Sequence, residues 1–202
     1  ARDVLLQPNT TYTSNTRIYM SAGQTLEGPG WDTILAHTSG SLTGGTGNGA
    51  VNVQDVSRVK IRGLRIQGTG SISGTFDAND KGVNISGASS NIVVTSNMVE
   101  NVLGEAIYAT GEGSVIFFTD NYATNTAHNC LNFNGINGAT GHIERNTCIN
   151  TFRGIEVAGD EVVISGNILS GQRGFGIVFG AWNSVASSDE AVISNNIIKN
   201  GT

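Results

Sequence analysis

Five segments of this chain share one short pattern, and the spacing of its copies constrains the fold more than any other feature. The copies read SNMVEN, DNYATN, RNTCIN, GNILSG and NNIIKN. Their first aligned asparagines follow one another at steps of 24, 25, 21 and 29 residues, and are Asn97, Asn121, Asn146, Asn167 and Asn196. A short apolar strand beside glycine follows each of the first four copies. A repeat of this length, built from strands and turns, is typical of a solenoid.

Each coil contains three short strand candidates, and their alternation indicates which side chains point inward. The first strand contributes the pairs Val59/Ile61, Ile92/Val94, Ile116/Phe118, Gly141/Ile143, Val162/Ile164 and Ala191/Ile193. The third contributes Val83/Ile85, Ile107/Ala109, Leu131/Phe133, Ile155/Val157 and Ile177/Phe179. The second contributes a column that contains Val99 and Leu169. Three inward columns per turn predict an all-β solenoid of parallel sheets, with about six to eight coils spaced about 4.8 Å apart.

The asparagines have a structural explanation of their own. The chain contains 22 Asn, and many of them share a position in the repeat. Stacked asparagines at equivalent positions can form ladders of side-chain amides along the axis. The aligned asparagine also comes where the chain must bend sharply, and Asn tolerates left-handed backbone geometry. These columns therefore need no active site to explain them.

Composition limits the classes of function. At 202 residues the chain predicts one domain, 1–202, with N-terminal coils at 1–49, regular coils at 50–180 and a late loop with an incomplete last coil at 181–202. The net charge of −5 argues against a nucleic-acid partner. No apolar run is long enough to span a membrane. The start at Ala1, without Met or a signal-like segment, fits a mature processed form.

The two cysteines and the three sequons carry little information. Cys148 shares a column with Val99 and Leu169, and Cys130 shares one with small residues such as Gly82 and Gly154. We therefore expect two separate free thiols that act as small packing residues, in preference to a disulfide. N-x-Ser/Thr sequons, which arise by chance in a chain rich in Asn and Thr, begin at Asn9, Asn84 and Asn200.

The repeat resembles the right-handed parallel β-helix of the pectate-lyase-like superfamily. The opening segment VLLQPNTTYTSNTRIYMSAGQTLEGPGWDTIL, from Val4 to Leu35, is similar to the first coils of that superfamily, although Asn9 stands where glycine is common. The resemblance implies a single-stranded right-handed β-helix with three short strands per coil. The superfamily includes polysaccharide lyases, glycosidases, uronate epimerases, phage tailspikes and non-catalytic surface proteins, so it leaves the function open.

Two insertions interrupt the regular spacing. They are Thr69 to Asp80, early in the chain, and Ala181 to Asp189, late in the chain. Insertions in a solenoid form loops on its side, and such loops often hold binding sites. Trp182 in the late loop could stack on a sugar, although covering the end of the core is the simpler role for it.

In the resembling enzymes the cleft lies on the outer face of one parallel sheet, and the third strand offers the best local candidate. Tyr108, His128 and Arg153 fall on three successive coils, which brings them within about 10 Å of one another. A uronate lyase or epimerase needs a cation, a base and an acid, often Tyr or His. We therefore expect any glycan contact at Tyr108, His128, Asn132 and Arg153, with Trp182 as a lesser candidate. The candidates for catalysis are Tyr108, His128 and Arg153.

A simpler interpretation competes with this site. An outward strand face must be polar in any water-exposed β-helix, and Lys81 and Glu105 could be an ordinary surface ion pair worth at most about 1 kcal/mol. On this face no column places Asp or Glu on neighbouring coils, as a glycosidase would need. His37, His128 and His142 lack zinc-ligand spacing, and Asp77, Asp80 and Glu105 would make only a poor calcium cage. We therefore predict no cofactor, with calcium the one ion left open.

Two classes of function remain. Apolar strands at Val4, Leu5 and Leu6 and at Ile197 and Ile198 would lack a neighbouring coil, so they favour head-to-tail self-association. The favoured hypothesis is an extracellular or cell-surface structural β-solenoid that stacks into a fibre or appendage and is not an enzyme. The alternative is a carbohydrate-active lyase or epimerase, or a tailspike-like glycan-binding protein, with a polysaccharide as its partner.

Overall fold

The computed structural model describes residues 2–45, 47–136, 138–180 and 190–199, apart from the side chains of residues 112 and 136. All regular structure in these residues is β-strand, with no α-helix. The first strands are β1 (Val4–Leu5), β2 (Thr11–Thr13), β3 (Ile18–Tyr19), β4 (Thr25–Glu27), β5 (Ile34–Ala36), β6 (Gly49–Gln54), β7 (Ser57–Arg62), β8 (Arg65–Gln67), β9 (Lys81–Ser86), β10 (Ser90–Thr95) and β11 (Met98–Glu100). The later strands are β12 (Ile107–Glu112), β13 (Val115–Thr119), β14 (Tyr122–Thr124), β15 (Asn129–Ile136), β16 (Thr140–Glu144), β17 (Thr147–Ile149), β18 (Arg153–Ala158), β19 (Glu161–Ser165), β20 (Ile168–Ser170), β21 (Ile177–Phe179), β22 (Glu190–Ser194) and β23 (Ile197–Lys199).

These strands form three parallel sheets that the chain visits in turn. Sheet 1 has the order β1-β4-β7-β10-β13-β16-β19-β22, sheet 2 has β2-β5-β8-β11-β14-β17-β20-β23, and sheet 3 has β21-β18-β15-β12-β9-β6-β3. Successive strands of each sheet come from successive coils, so the chain makes about seven turns of a β-solenoid. This architecture confirms the predicted fold class and is consistent with a right-handed parallel β-helix.

The interior columns follow the predicted register. In sheet 3, Val83, Ile107, Leu131, Ile155 and Ile177 pair with one another from strand to strand. The first four have no exposed surface, and Ile177 is partly buried. Sheet 1 stacks Val94, Phe118 and Ile143 in the same way. Burial of aliphatic groups in continuous columns is the main force that holds the coils together.

The aligned asparagines form the predicted ladder, and it lies inside the protein. Nδ2 of each asparagine donates to Oδ1 of the next, at 3.2 Å from Asn97 to Asn121, 3.0 Å from Asn121 to Asn146, 3.0 Å from Asn146 to Asn167 and 2.9 Å from Asn167 to Asn196. The same Oδ1 atoms accept the backbone N–H of the preceding asparagine. Each Nδ2 also donates to a carbonyl at the end of a sheet 1 strand, such as Val94 O for Asn121. These amides therefore satisfy the buried backbone at each corner between sheets 1 and 2.

The sharp bend lies one residue earlier than the sequence predicted. The left-handed residues are those just before the ladder, with φ of 57° at Ser96, 57° at Asp120 and 55° at Arg145. The asparagine at the end of a copy is also left-handed, with φ of 57° at Asn101 and 54° at Asn125. The ladder asparagine keeps an ordinary backbone because its role is hydrogen bonding.

The expectation of two free thiols was wrong, because Cys130 and Cys148 form a disulfide with a Cα–Cα distance of 5.9 Å. The two columns that hold them face each other inside the coil. A Cβ added at Gly82 would lie 2.4 Å from Val99 Cγ1, and one added at Gly154 would lie 2.3 Å from Leu169 Cδ2. Most coils thus pair a small residue with a large one at this place, and the central coil pairs two cysteines. The disulfide could not be predicted from either column alone, because it depends on which columns face each other.

Several predicted positions lie near the ends of the described chain. Leu5 is 70% exposed and Ile198 is 52% exposed, while Val4 and Ile197 are also exposed and Leu6 is partly buried. Trp182, the late loop 181–189 and Asn200 lie outside the described residues. The sequon at Asn84 falls on a buried side chain. Among the described residues, no helix could cross a membrane.

Candidate functional site

The outer face of sheet 3 carries a polar surface built by strand alternation. Tyr108 on β12, Asn132 on β15 and Glu156 on β18 are register partners, and their chain neighbours lie in the core. Side chains at these positions must therefore point away from the interior. Asn132 and Glu156 are nevertheless almost fully buried, because the side chains of this face cover one another.

Four ionisable side chains form a continuous chain of contacts across this face. Nζ of Lys81 lies 3.5 Å from Oε2 of Glu105, and Oε1 of Glu105 lies 3.0 Å from Nδ1 of His128. Nε2 of His128 lies 3.2 Å from Nη1 of Arg153. These residues belong to four successive coils, so the contacts run along the axis of the solenoid.

The partners of His128 fix its tautomer. A guanidinium can only donate hydrogen bonds, so Arg153 donates to Nε2 of the imidazole. The neutral ring therefore carries its proton on Nδ1 and donates it to Glu105 Oε1. A doubly protonated ring has no lone pair for the guanidinium, so this arrangement exists only while His128 is neutral.

The pKa values of Glu105 and Tyr108 are shifted in opposite directions. Burial alone would raise the pKa of the Glu105 carboxyl, but the His128 hydrogen bond and the charge of Lys81 outweigh it and lower the pKa. Burial raises the pKa of the Tyr108 phenol, although a hydrogen bond with Asn134 opposes this, and the Glu105 charge raises it further. At neutral pH the carboxyl is therefore an ionised proton acceptor and the phenol a protonated donor. Nζ of Lys81 lies 4.9 Å from the centre of the Tyr108 ring and links the two groups.

Two asparagine side chains also lie on the outer face of sheet 3, and their carbonyl oxygens accept no hydrogen bond from the described residues. Nδ2 of Asn129 donates to Oε2 of Glu156 at 2.8 Å. Among the described residues, the buried oxygens Oδ1 of Asn129 and Oδ1 of Asn132 have no hydrogen-bond partner. A buried acceptor without a partner costs stability.

The early insertion, 69–80, lies beside this cluster. Asp80 anchors its end, because Oδ1 of Asp80 lies 2.7 Å from Nε2 of His37 and its Oδ2 accepts the N–H of Leu103 at 2.8 Å. Burial tends to raise the pKa of Asp80, but the hydrogen bonds from His37 and Leu103 lower it. The ring of Phe76 in this insertion lies 4.2 Å from the ring of His128, measured between centroids.

The structure brings together most of the residues that the sequence singled out. Tyr108, His128, Asn132 and Arg153 belong to one connected surface. The interpretation of Lys81 and Glu105 as a surface pair was wrong, because each side chain is only 5% exposed. The contact between Phe76 and His128 was not predicted, since only the length of the insertion pointed to this loop. Within the described residues, no group of three or more His, Cys, Asp or Glu is placed to hold a metal ion.

No protein-family model matches the chain, and no curated protein is significantly similar to it. Among solved structures, the crystal structure of the enzymatically active domain of bacteriophage CBA120 tailspike protein 2 is 13% identical, covering 96% of this chain and 38% of that one, with a TM-score of 0.41. The catalytic domain of a GH87 alpha-1,3-glucanase in complex with nigerose is 12% identical, covering 98% of this chain and 60% of that one, with a TM-score of 0.34. The chain therefore spans 38% of the first domain and 60% of the second.

Proposed function

We propose that the protein is a carbohydrate-active β-helix that binds a polysaccharide across the outer face of sheet 3. The observation that supports this most is the buried contact chain from Lys81 through Glu105 and His128 to Arg153. Burying charged groups on the outside of a solenoid costs free energy that an ordinary polar surface would avoid. Such clusters are common where a protein binds or transforms a ligand.

Uronate elimination is the reaction that these groups suit best. Arg153 and Lys81 supply positive charge for the sugar carboxylate, which makes the C5 proton easier to remove. The ionised Glu105 takes that proton, the C4–O4 bond breaks as a C4=C5 double bond forms, and Tyr108 gives its proton to the leaving oxygen. The pKa of Glu105 is lowered and that of Tyr108 is raised, so at neutral pH the carboxyl is ionised and the phenol protonated, the starting states that these two roles need.

We place this activity outside the cell or on its surface. The Cys130–Cys148 disulfide supports this location, because disulfides persist mainly in oxidising compartments. Polysaccharides that a β-helix of this kind could bind also occur there.

We expect Arg153→Ala to lower turnover of polygalacturonate or alginate by about 100-fold or more, because it removes positive charge beside the reacting carboxylate. Turnover is followed by the ultraviolet absorbance of unsaturated uronate. Arg145→Ala is the matched control, since Arg145 is an exposed arginine that pairs with Asp120. If the wild type binds either polymer but forms no unsaturated product, the protein binds glycans and the catalytic proposal is wrong. Absence of binding to uronate polymers and to dextran would contradict both.

Head-to-tail stacking is the second proposal, and it does not exclude the first. It is supported by apolar side chains exposed at both ends of the described solenoid, with Leu5 70% and Ile198 52% exposed. Another coil placed about 4.8 Å away would pair the strand edges and cover these side chains.

We expect Leu5→Lys or Ile197→Lys to shorten any assemblies while leaving the central coils folded, because each junction would then bury a lysine charge against apolar side chains. Electron microscopy and sedimentation velocity measure the lengths. Lys60→Ala, on the side of the solenoid, should leave them unchanged. A monodisperse monomer of the wild-type chain at high concentration would exclude stacking.

A further inference from the structure

The insertion 69–80 places an exposed aromatic ring directly beside the polar cluster. Phe76 is 45% exposed, although large apolar side chains usually avoid water when a loop can turn them inward. One side of its ring lies against His128, at 4.2 Å between centroids and 34° between planes. The imidazole it contacts is the central member of the chain from Glu105 to Arg153.

The loop holds Phe76 in place on both sides. The N–H of Gly70 donates to Asn101 O at 2.6 Å, and the N–H of Asp77, the residue after Phe76, donates to Leu103 O at 3.1 Å. The buried pair of His37 and Asp80 anchors the end of the loop. A loop whose backbone is tied down in this way loses less conformational freedom when a ligand binds to it.

We propose that Phe76 is the aromatic platform of a sugar subsite next to the polar cluster. The class of ligand is a pyranose residue within a polysaccharide, whose apolar ring face packs against the exposed face of Phe76. The neighbouring residue of the same polymer then reaches Arg153 and Tyr108. This inference rests on the proposed function and adds to it a specificity determinant that carries no charge.

The contact has a clear physical basis. Pyranose rings present C–H groups on one face and hydroxyls around their edge, so they combine an apolar face with a polar rim. A rigid aromatic ring gains both buried area and favourable electrostatics from such a face. Phe76 has no hydrogen-bonding group, so it holds the ring without competing for its hydroxyls.

The test is calorimetric binding of polygalacturonate, with dextran as the neutral polymer. Phe76→Ala is expected to weaken binding of the polymer that the wild type prefers by about fivefold to tenfold. Phe76→Trp should preserve or strengthen it. Where turnover is measurable, KM should rise by a similar factor with kcat within about twofold, because the platform does not touch the reacting atoms.

The Phe76→Leu variant distinguishes stacking of a sugar on the aromatic ring from simple apolar shielding of His128. Leucine keeps an apolar cover over His128 but has no aromatic face, so it should weaken binding nearly as much as alanine does. If Phe76→Leu binds like the wild type, the side chain only shields His128 and the proposal is wrong. Trp31→Ala is the matched control, because Trp31 is 42% exposed and contacts Tyr122 on sheet 2.

The failures of the two proposals are distinguishable. If the wild type binds a polymer and Arg153→Ala weakens binding while Phe76→Ala does not, the platform is overturned and the proposed function stands. If the wild type binds neither polymer, the proposed function itself fails. Thermal unfolding of each variant shows whether the loop remains folded, and an unchanged midpoint for Phe76→Ala is expected because its ring is exposed.

Discussion

Leu131→Asp should unfold the central coils, with a loss of about 4 kcal/mol or more in the free energy of unfolding. Leu131 has no exposed surface and pairs with Ile107 on one side and Ile155 on the other. A carboxylate there would be buried without a partner, between two aliphatic side chains of the same column. Chemical denaturation measures the loss, and amide hydrogen exchange locates it, because a solenoid can open in the middle while other coils remain folded.

The same substitution at Leu5 is the control for Leu131→Asp. Leu5 is 70% exposed, so Leu5→Asp should change stability by no more than about 0.5 kcal/mol. If the two variants were equally stable, the sheet 3 column would not be the core, and the outward assignment of Tyr108 and Asn132 would fail with it.

The second large effect is expected at the asparagine ladder. Asn121→Ala removes four hydrogen bonds: Oδ1 accepts from N and Nδ2 of Asn97, and Nδ2 donates to Val94 O and Asn146 Oδ1. The partners left behind are buried, so we expect a loss of about 3 kcal/mol or more, measured by denaturation. Asn121→Asp keeps the shape but replaces the donor with an oxygen that faces Val94 O, so it should not restore stability at neutral pH.

Asn79→Ala is the control for the ladder. Asn79 is exposed in the insertion and has an ordinary backbone conformation, so its loss should cost no more than about 0.5 kcal/mol. A loss below about 1 kcal/mol for Asn121→Ala would contradict the interpretation of the ladder as a main determinant of stability.

The fold was predictable because its information is local and repeated. Alternation in one coil assigns Leu131 inward, and the register of the next coils confirms the assignment at Ile107 and Ile155. The asparagine ladder was predictable for the same reason, since one residue type recurs at one position. The cluster of Tyr108, His128 and Arg153 followed from the step between coils.

What could not be predicted depends on contacts between columns or between a loop and a strand. The Cys130–Cys148 bond joins two sheets across the interior, and no spacing along the chain encodes that distance. The burial of Lys81 and Glu105 depends on how several side chains cover one another. The position of Phe76 over His128 depends on the path of a loop without periodicity. Each of these contacts depends on three-dimensional packing, which a pattern along the sequence does not describe.

The ladder also bears on how such a chain can change during evolution. Its asparagines are 24, 25, 21 and 29 residues apart, yet their amide contacts all fall between 2.9 and 3.2 Å. Differences in coil length therefore leave the ladder contact to the next coil unchanged. A lineage could gain or lose residues in a side loop such as 69–80 while every neighbouring coil keeps its alignment. Diversification of recognition can then proceed by insertion and deletion, without the compensating changes that a less modular scaffold would require.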